Sequence, residues 1–311
     1  MSINWIKFTM HFAPRLLLLS LLGYSVFGVA QPYVIYGKAS LSAQLADEGD
    51  GHSTEFKSNT SRLGVSGEFD MSPDAQLVYR VEWGIDLADL TSSKTIQSRD
   101  QYIGVTGNLG TLLVGRKNNG LKNVTSPVDV MNGYEGDLKG LWQGDERYSD
   151  SVNYISPVFN TGFAAEFNYV RVNKAKGDDS FISTIYYGDR TLNKSTWYAA
   201  VGYASKANGF DVQRLLAKAK MGSWIFGAVA HREKNNQLGD PDSGILLNSQ
   251  YSIGKWQLSG QYQTLSGDNS VSLMVDYKLA KSSKIYAWLT DRRAQQDAQQ
   301  SWLAIGVEHK F

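Results

Sequence analysis

Long runs of this chain alternate apolar and polar residues with a period of two, over spans longer than soluble sheets use. In residues 75–86, Leu77, Tyr79, Val81, Trp83 and Ile85 share one face, while Gln76, Arg80, Glu82, Gly84 and Asp86 share the other. The pattern returns in 256–263, 270–279 and 301–311, where Leu303, Ile305, Val307 and Phe311 oppose Glu308 and Lys310. Each run reads as a strand with one greasy and one wet face. Soluble strands average roughly 5–6 residues, whereas a tilted strand needs about 9–11 to cross a bilayer. Aromatics fall at strand ends on the apolar face: Trp83, Tyr154, Trp256, Tyr277 and Phe311. Tyr and Trp favour the membrane–water interface. A secreted β-sandwich also alternates but has less reason to place them there.

Connections alternate in length. Tight turns near 71–74, 108–110, 159–162, 221–223, 254–255 and 280–283 separate longer polar segments at 46–59, 87–96, 118–147, 173–180, 234–243 and 291–298. Short turns at one end and loops at the other are the mark of an outer-membrane barrel. The pattern predicts an all-β fold, an antiparallel transmembrane β-barrel. Its sixteen strands start near Tyr33, Thr60, Ala75, Gln97, Thr111, Tyr148, Gly162, Phe181, Ser195, Phe210, Ser223, Gly244, Trp256, Ser270, Lys284 and Gln299, with 181–221 the least regular stretch.

Residues 1–30 read as a cleaved signal peptide. Lys7 and Arg15 supply charge with no acid, 16–22 is the apolar core, and Gly28-Val29-Ala30 supplies small residues before Gln31. That leaves 31–311 as a single barrel domain. Taking Lys7 and Arg15 from 31 bases leaves 29 against 30 acids, a balance with no nucleic-acid signature. The chain has no Cys and only 4 His, none spaced as a metal pair, and carries no phosphate-binding or nucleophile motif. Neither enzyme chemistry nor a cofactor is expected.

Several segments resemble one family in order along the chain: Tyr36-Gly37-Lys38; Ser61-Arg62-Leu63-Gly64-Val65-Ser66-Gly67-Glu68; Tyr102-Ile103-Gly104-Val105; Gly110-Thr111 through Val114-Gly115-Arg116; Asp150-Ser151-Val152-Asn153-Tyr154 with Ser156-Pro157; and Gly306-Val307-Glu308-His309-Lys310-Phe311. Together they resemble the general Gram-negative trimeric porins of the Vibrio, Shewanella and Neisseria type. The resemblance implies a sixteen-stranded barrel in the lipid of the cell outer membrane. It also implies a homotrimer and passive diffusion of small hydrophilic solutes and ions. Phe311 would be the aromatic that the outer-membrane assembly machinery reads, besides serving as a girdle residue. Two departures stand out. The outer loops at 87–96, 173–180 and 206–209 are short for the family, the first being the one that latches onto a neighbouring subunit. The third loop also lacks the enteric Pro-Glu-Phe-Gly-Gly string.

The segment 118–147 is too long for an ordinary connection. It carries Asp129, Glu135, Asp137, Asp145 and Glu146 against Lys122, Lys139 and Arg147, with Gly120, Gly133, Gly136, Gly140 and Gly144 as hinges. The resemblance implies that this loop folds into the lumen and narrows it; a solvated surface loop is the plain alternative. Bases are expected on the facing wall. Parity turns Arg62, Arg80 and Arg147 inward, and Lys38 too if Ile35 and Leu41 meet lipid. Arg99 and Arg116 match family pore positions, yet they share parity with Ile103 and Val105, and with Leu112 and Val114. A bulge, or a position above the lipid band, would be needed to bring them in. Acids facing bases across a narrow wet gap would set up a transverse field that orders water and polar solutes; the bases could instead pair locally with Glu68 or Glu82. The expected function is a diffusion pore. Alternatives are a substrate-selective channel, for example for oligosaccharides, with Tyr134 and Trp142 as an aromatic slide, or a plugged structural or adhesive barrel.

Overall fold

The computed structural model describes residues 33–49, 51–89, 91, 95–172, 178–237, 239–294 and 299–311. The expected signal peptide, residues 1–30, lies outside them, as do parts of the second, fourth and eighth outer loops.

Seventeen strand segments form one sheet. In chain order they are β1 (Tyr33–Asp47), β2 (His52–Ser58), β3 (Arg62–Ser72), β4 (Ala75–Ile85), β5 (Ile96–Gly107), β6 (Gly110–Asn118), β7 (Arg147–Ile155), β8 (Phe163–Val170), β9 (Ser180–Gly188), β10 (Trp197–Ala207), β11 (Phe210–Met221), β12 (Trp224–Asn235), β13 (Asp242–Ile253), β14 (Trp256–Leu265), β15 (Asp268–Ala280), β16 (Ser283–Arg293) and β17 (Gln300–Lys310). Neighbours in sequence pair antiparallel, and β17 pairs back to β1 from Lys38↔Lys310 to Asp47↔Ser301. The sheet is therefore closed into a barrel.

The barrel has sixteen strands because β2 and β3 are halves of one. β2 pairs with the upper part of β1, Leu41 to Asp47, and β3 with its lower part, Tyr33 to Lys38. Between them Thr60 takes a left-handed φ of 55°. The upper half corrects the expected loop at 46–59. β1 runs to Asp47 and β2 resumes at His52, hidden in sequence because His-Ser-Thr-Glu-Phe-Lys-Ser offers only Phe56 as a large outward apolar residue.

Burial is inverted relative to a soluble protein. On β17, Ile305 is 61 % exposed while its neighbour Ala304 is 3 % exposed. Leu45, Val114, Leu215, Leu258 and Leu273 likewise point outward, while Ser40, Ser42, Gln44, Asn153 and Gln261 are enclosed. An outer face this greasy is stable only against lipid.

The segment between β6 and β7 folds into the barrel. It opens with helix α1 (Gly120–Thr125), capped by the Asn119 side chain on Lys122 N, and later makes a 3-10 turn at Leu138–Gly140 capped by Asp137. Val124, Val128, Leu138 and Trp142 pack on Tyr198, Ala200, Leu216, Val229 and Leu246 of the inner wall. Leu121 packs on Ile182, Ala204 and Val212, and Met131 on Trp288 and Trp302. Each large apolar side chain so enclosed contributes about 2 kcal/mol. These contacts explain the irregular stretch at 181–221. Inward Ile182, Tyr198, Leu216 and Val229 meet the loop while outward Phe181, Val201 and Leu215 meet lipid, so both faces are apolar and the two-residue signal fades.

Candidate functional site

Opposite the loop, four guanidinium groups gather around two carboxylates on the wall of β3, β4, β5 and β7. Arg99 Nε lies 2.5 Å from Glu82 Oε1, and Arg62 Nε 3.6 Å from Glu82 Oε2. Arg147 Nε donates to Asp100 Oδ1 at 2.7 Å, and Arg80 Nη1 lies 3.8 Å from Asp100 Oδ2. Arg80 also lies between the rings of Tyr36 and Tyr102, at 5.7 and 5.8 Å from their centroids, while Tyr36 OH donates to Glu82 at 3.0 Å. The cluster carries more positive than negative charge, and cation–π contacts hold Arg80 extended.

The bulge expected for Arg99 is present. The β4–β5 register runs to Val81↔Gln101, then resumes at Trp83↔Ser98, so both Arg99 and Asp100 face Glu82. That bulge does not carry Arg116, which stays in register opposite Gln101, but on its other side the β6–β7 register shifts between Gly115 and Lys117. Arg116 binds the Ser98 carbonyl and Ser149 Oγ, the latter at 3.0 Å, and borders a cavity of about 360 Å³ with Arg99 and Arg147. Lys38 stands across the β1–β3 pair from Arg62, donating to Thr60 Oγ1 at 2.6 Å and pairing with Glu308 at 3.5 Å.

Four of the five loop acids divide into two pairs. Glu135 pairs with Lys57, and its carbonyl accepts from Arg292. Asp137 accepts from Gly133 N at 2.8 Å and Lys139 N at 3.0 Å. Both border a cavity of about 630 Å³ that Arg62, Arg80, Arg99 and Arg147 also line. Asp129 and Asp145 are buried where the loop meets the wall. Asp129 accepts from Met131 N, Leu138 N and Gln261 Nε2, and Asp145 pairs with Arg214. Burial, with Asp137 beside it, pushes the Asp129 carboxyl above the usual carboxylate range. Burial lowers the Lys122 ammonium, partly offset by Asp145. A second cavity of about 330 Å³ holds Lys38, Lys284 and Lys310; it shares Thr60, Arg62, Asn132 and Tyr134 with the larger one. Gly133, at φ 89°, sits so close to Thr60 that a Cβ would come within 2.9 Å of its side chain.

Parity placed Glu82 on the inward face and named it as a local partner for the bases, but nothing in the sequence pointed to Asp100, Lys57, Arg214 or Arg292 as partners. Of the two aromatic-slide candidates, Tyr134 lines both the larger and the second cavity and Trp142 lines neither. Trp142 is 1 % exposed and stacked on His231, while Tyr134 packs edge-on against Tyr286.

A family profile described as Gram-negative porin matches residues 20–310. The chain belongs to the Gram-negative porin family. This porin is 28% identical over 310 residues to the major outer membrane protein P.IB of Neisseria sicca, a match covering 83% of this chain and 86% of that one. It is 22% identical to porin-like protein L of Photobacterium profundum, over 73% of this chain and 72% of that protein. Among solved structures it is similar to an anion-selective porin from Comamonas acidovorans, with a TM-score of 0.70 and 16% identity over 90% of this chain and 99% of that chain. OmpT of Vibrio cholerae gives a TM-score of 0.68 at 14% identity over 91% of this chain and 99% of that chain. The porin is an outer-membrane channel protein, and passive diffusion is the general role of its family.

Proposed function

We propose that ions and small hydrophilic solutes pass between the wall arginines and the tip of the loop, and that this constriction favours anions. Arg62, Arg80, Arg99 and Arg147 form the positive side; Glu135 and Asp137 form the loop side. Lys38 receives solute in the cavity below, and Arg116 lies at the mouth. The observation that carries the reading is the charge of the larger cavity, lined by eight basic and four acidic side chains. In a narrow aqueous gap with low-dielectric walls, such an excess focuses into a field that raises the local anion concentration. Asp129 and Asp145 shape the loop rather than the field, because their carboxylates are already taken up by internal donors.

The test is reversal potential in a salt gradient across a planar bilayer. The double variant Arg62→Ala with Arg147→Ala is expected to shift selectivity toward cations by at least about twofold. An unchanged potential would remove these side chains from the conducting path. A homotrimer, removal of residues 1–30, and reading of Phe311 by the assembly machinery complete the proposal. Cross-linking in native membranes, mass measurement of the mature chain and assembly of Phe311→Ala test them in turn.

A further inference from the structure

On the wall opposite the arginine cluster, one buried side chain ties together four parts of the molecule. Arg214 of β11 has a fully enclosed side chain. Its Nη1 pairs with Asp145 and donates to Thr125 Oγ1 at 3.1 Å. Its Nη2 donates to the Gln143 carbonyl at 2.5 Å, and its Nε to His231 Nδ1 at 3.1 Å. The chain of contacts continues on β12. His231 Nε2 lies 2.8 Å from Glu233 Oε2, which also accepts from Gln143 N at 2.7 Å. Trp142 closes the cluster by stacking on His231 at 4.4 Å with the rings 4° from parallel, and by donating from Nε1 to the Thr264 carbonyl at 2.7 Å. Thr125 ends α1, while 142–145 is the descending limb of the same loop. A single guanidinium therefore holds both limbs to the wall.

We infer that Arg214, with His231 and Glu233, is the positioning residue that fixes the loop against β11 and β12 and thereby sets the width and charge of the constriction. The inference rests on the proposed reading that the loop borders the conducting path. Its physical basis is the asymmetry of buried charge. A paired, fully hydrogen-bonded ion pair is tolerated in the interior, whereas the surviving partner of a broken pair is strongly disfavoured. Asp145 already has one buried carboxylate oxygen, Oδ2, without a hydrogen-bond partner, so it has no substitute donor if Arg214 is lost. Asp145 and Glu233 would then seek water, and the shortest way to it is for the descending limb to leave the wall and enter the lumen.

Single-channel recordings of the full chain test this. Arg214→Met is expected to give frequent sub-level transitions and a roughly twofold shift in reversal potential toward cations, because two carboxylates join the lumen uncompensated. Arg214→Met with Asp145→Asn is expected to recover much of the quiet trace and the wild-type potential, a coupling that loss of packing alone would not give. Should Arg214→Met fail to reach the folded, heat-modifiable form, Trp142→Leu serves instead. It loosens the same limb without unpairing a charge, so the noise rises while the potential holds. Wild-type noise and potential in a folded Arg214→Met or Trp142→Leu channel overturn the positioning role. If Arg62→Ala with Arg147→Ala still shifts the potential in that case, only the positioning role falls. If that variant is silent as well, the constriction reading falls with it.

Discussion

Phe311 lays its ring over Gly37, and the two residues exchange both backbone hydrogen bonds, Gly37 N to Phe311 O at 2.9 Å and Phe311 N to Gly37 O at 3.1 Å. The pair ends the β1–β17 seam, and the ring occupies the volume that any Cβ on residue 37 would need. Gly37→Val is therefore expected to weaken closure by about 1–3 kcal/mol, the usual cost of overpacking. Denaturant titration of the refolded barrel in micelles, followed by the heat-modifiable gel shift, reads this directly. A midpoint equal to that of the parent would show that the ring moves aside freely.

Glu82 and Asp100 hold the four wall arginines in place and also cancel part of their charge. Replacing both with the neutral amides, Glu82→Gln and Asp100→Asn, keeps hydrogen-bond acceptors and removes two negative charges. Anion preference is expected to increase by about twofold in dilute salt and to shrink toward the parent value near 1 M, where the Debye length falls to about 3 Å. Reversal potentials at the two ionic strengths decide it; a shift toward cations would mean that the arginines had collapsed out of the path.

Lys122 borders the larger cavity, and burial holds its ammonium below the ordinary lysine value. A lysine so lowered gives up its proton at a lower pH than a free one would. Raising the pH from 7 toward 10 thus removes a positive charge from the lumen earlier than ordinary lysines would lose theirs. Anion preference is expected to decline across that window and to decline less in Lys122→Met. Identical pH profiles for the two channels would exclude Lys122 from the field.

Gly136 and Gly140 let the loop lie flat on the far wall. A Cβ on Gly136 would overlap Ser272 and Thr290, and one on Gly140 would overlap the Arg292 guanidinium. Gly136→Val is expected to lift the loop tip from β15 and β16 and to change single-channel conductance by tens of per cent, roughly 20–50%, while the barrel still folds. Conductance indistinguishable from the parent would show that this part of the loop lies outside the path.

Much of this arrangement was legible in the sequence because a membrane strand states its two solvents residue by residue. Arg62 and Arg80 followed from parity alone, and each of the sixteen expected starts has a strand beginning within two residues of it; Ser283 even opens β16 one residue early. Arg99 required a bulge, a backbone feature that parity can demand but not locate. The positions that stayed hidden share one cause. Where the inner wall supports the loop, as at Tyr198, Leu216 and Val229, it is as apolar as the outer wall. Arg214 and Glu233 then stand in a stretch with no wet face to mark them. Trp142, read as a ligand-facing aromatic, is instead part of that same contact.

The loop leaves the wall after β6, yet its partners run from β8 and β9 round to β17, strands made later in the chain. The seating surface includes Trp302 on β17, the strand that makes the seal, so the seat is complete only once β17 is in place. Full seating of the loop thus waits on the last strand. A chain interrupted shortly before its final hairpin should leave that loop outside, still within reach of proteases.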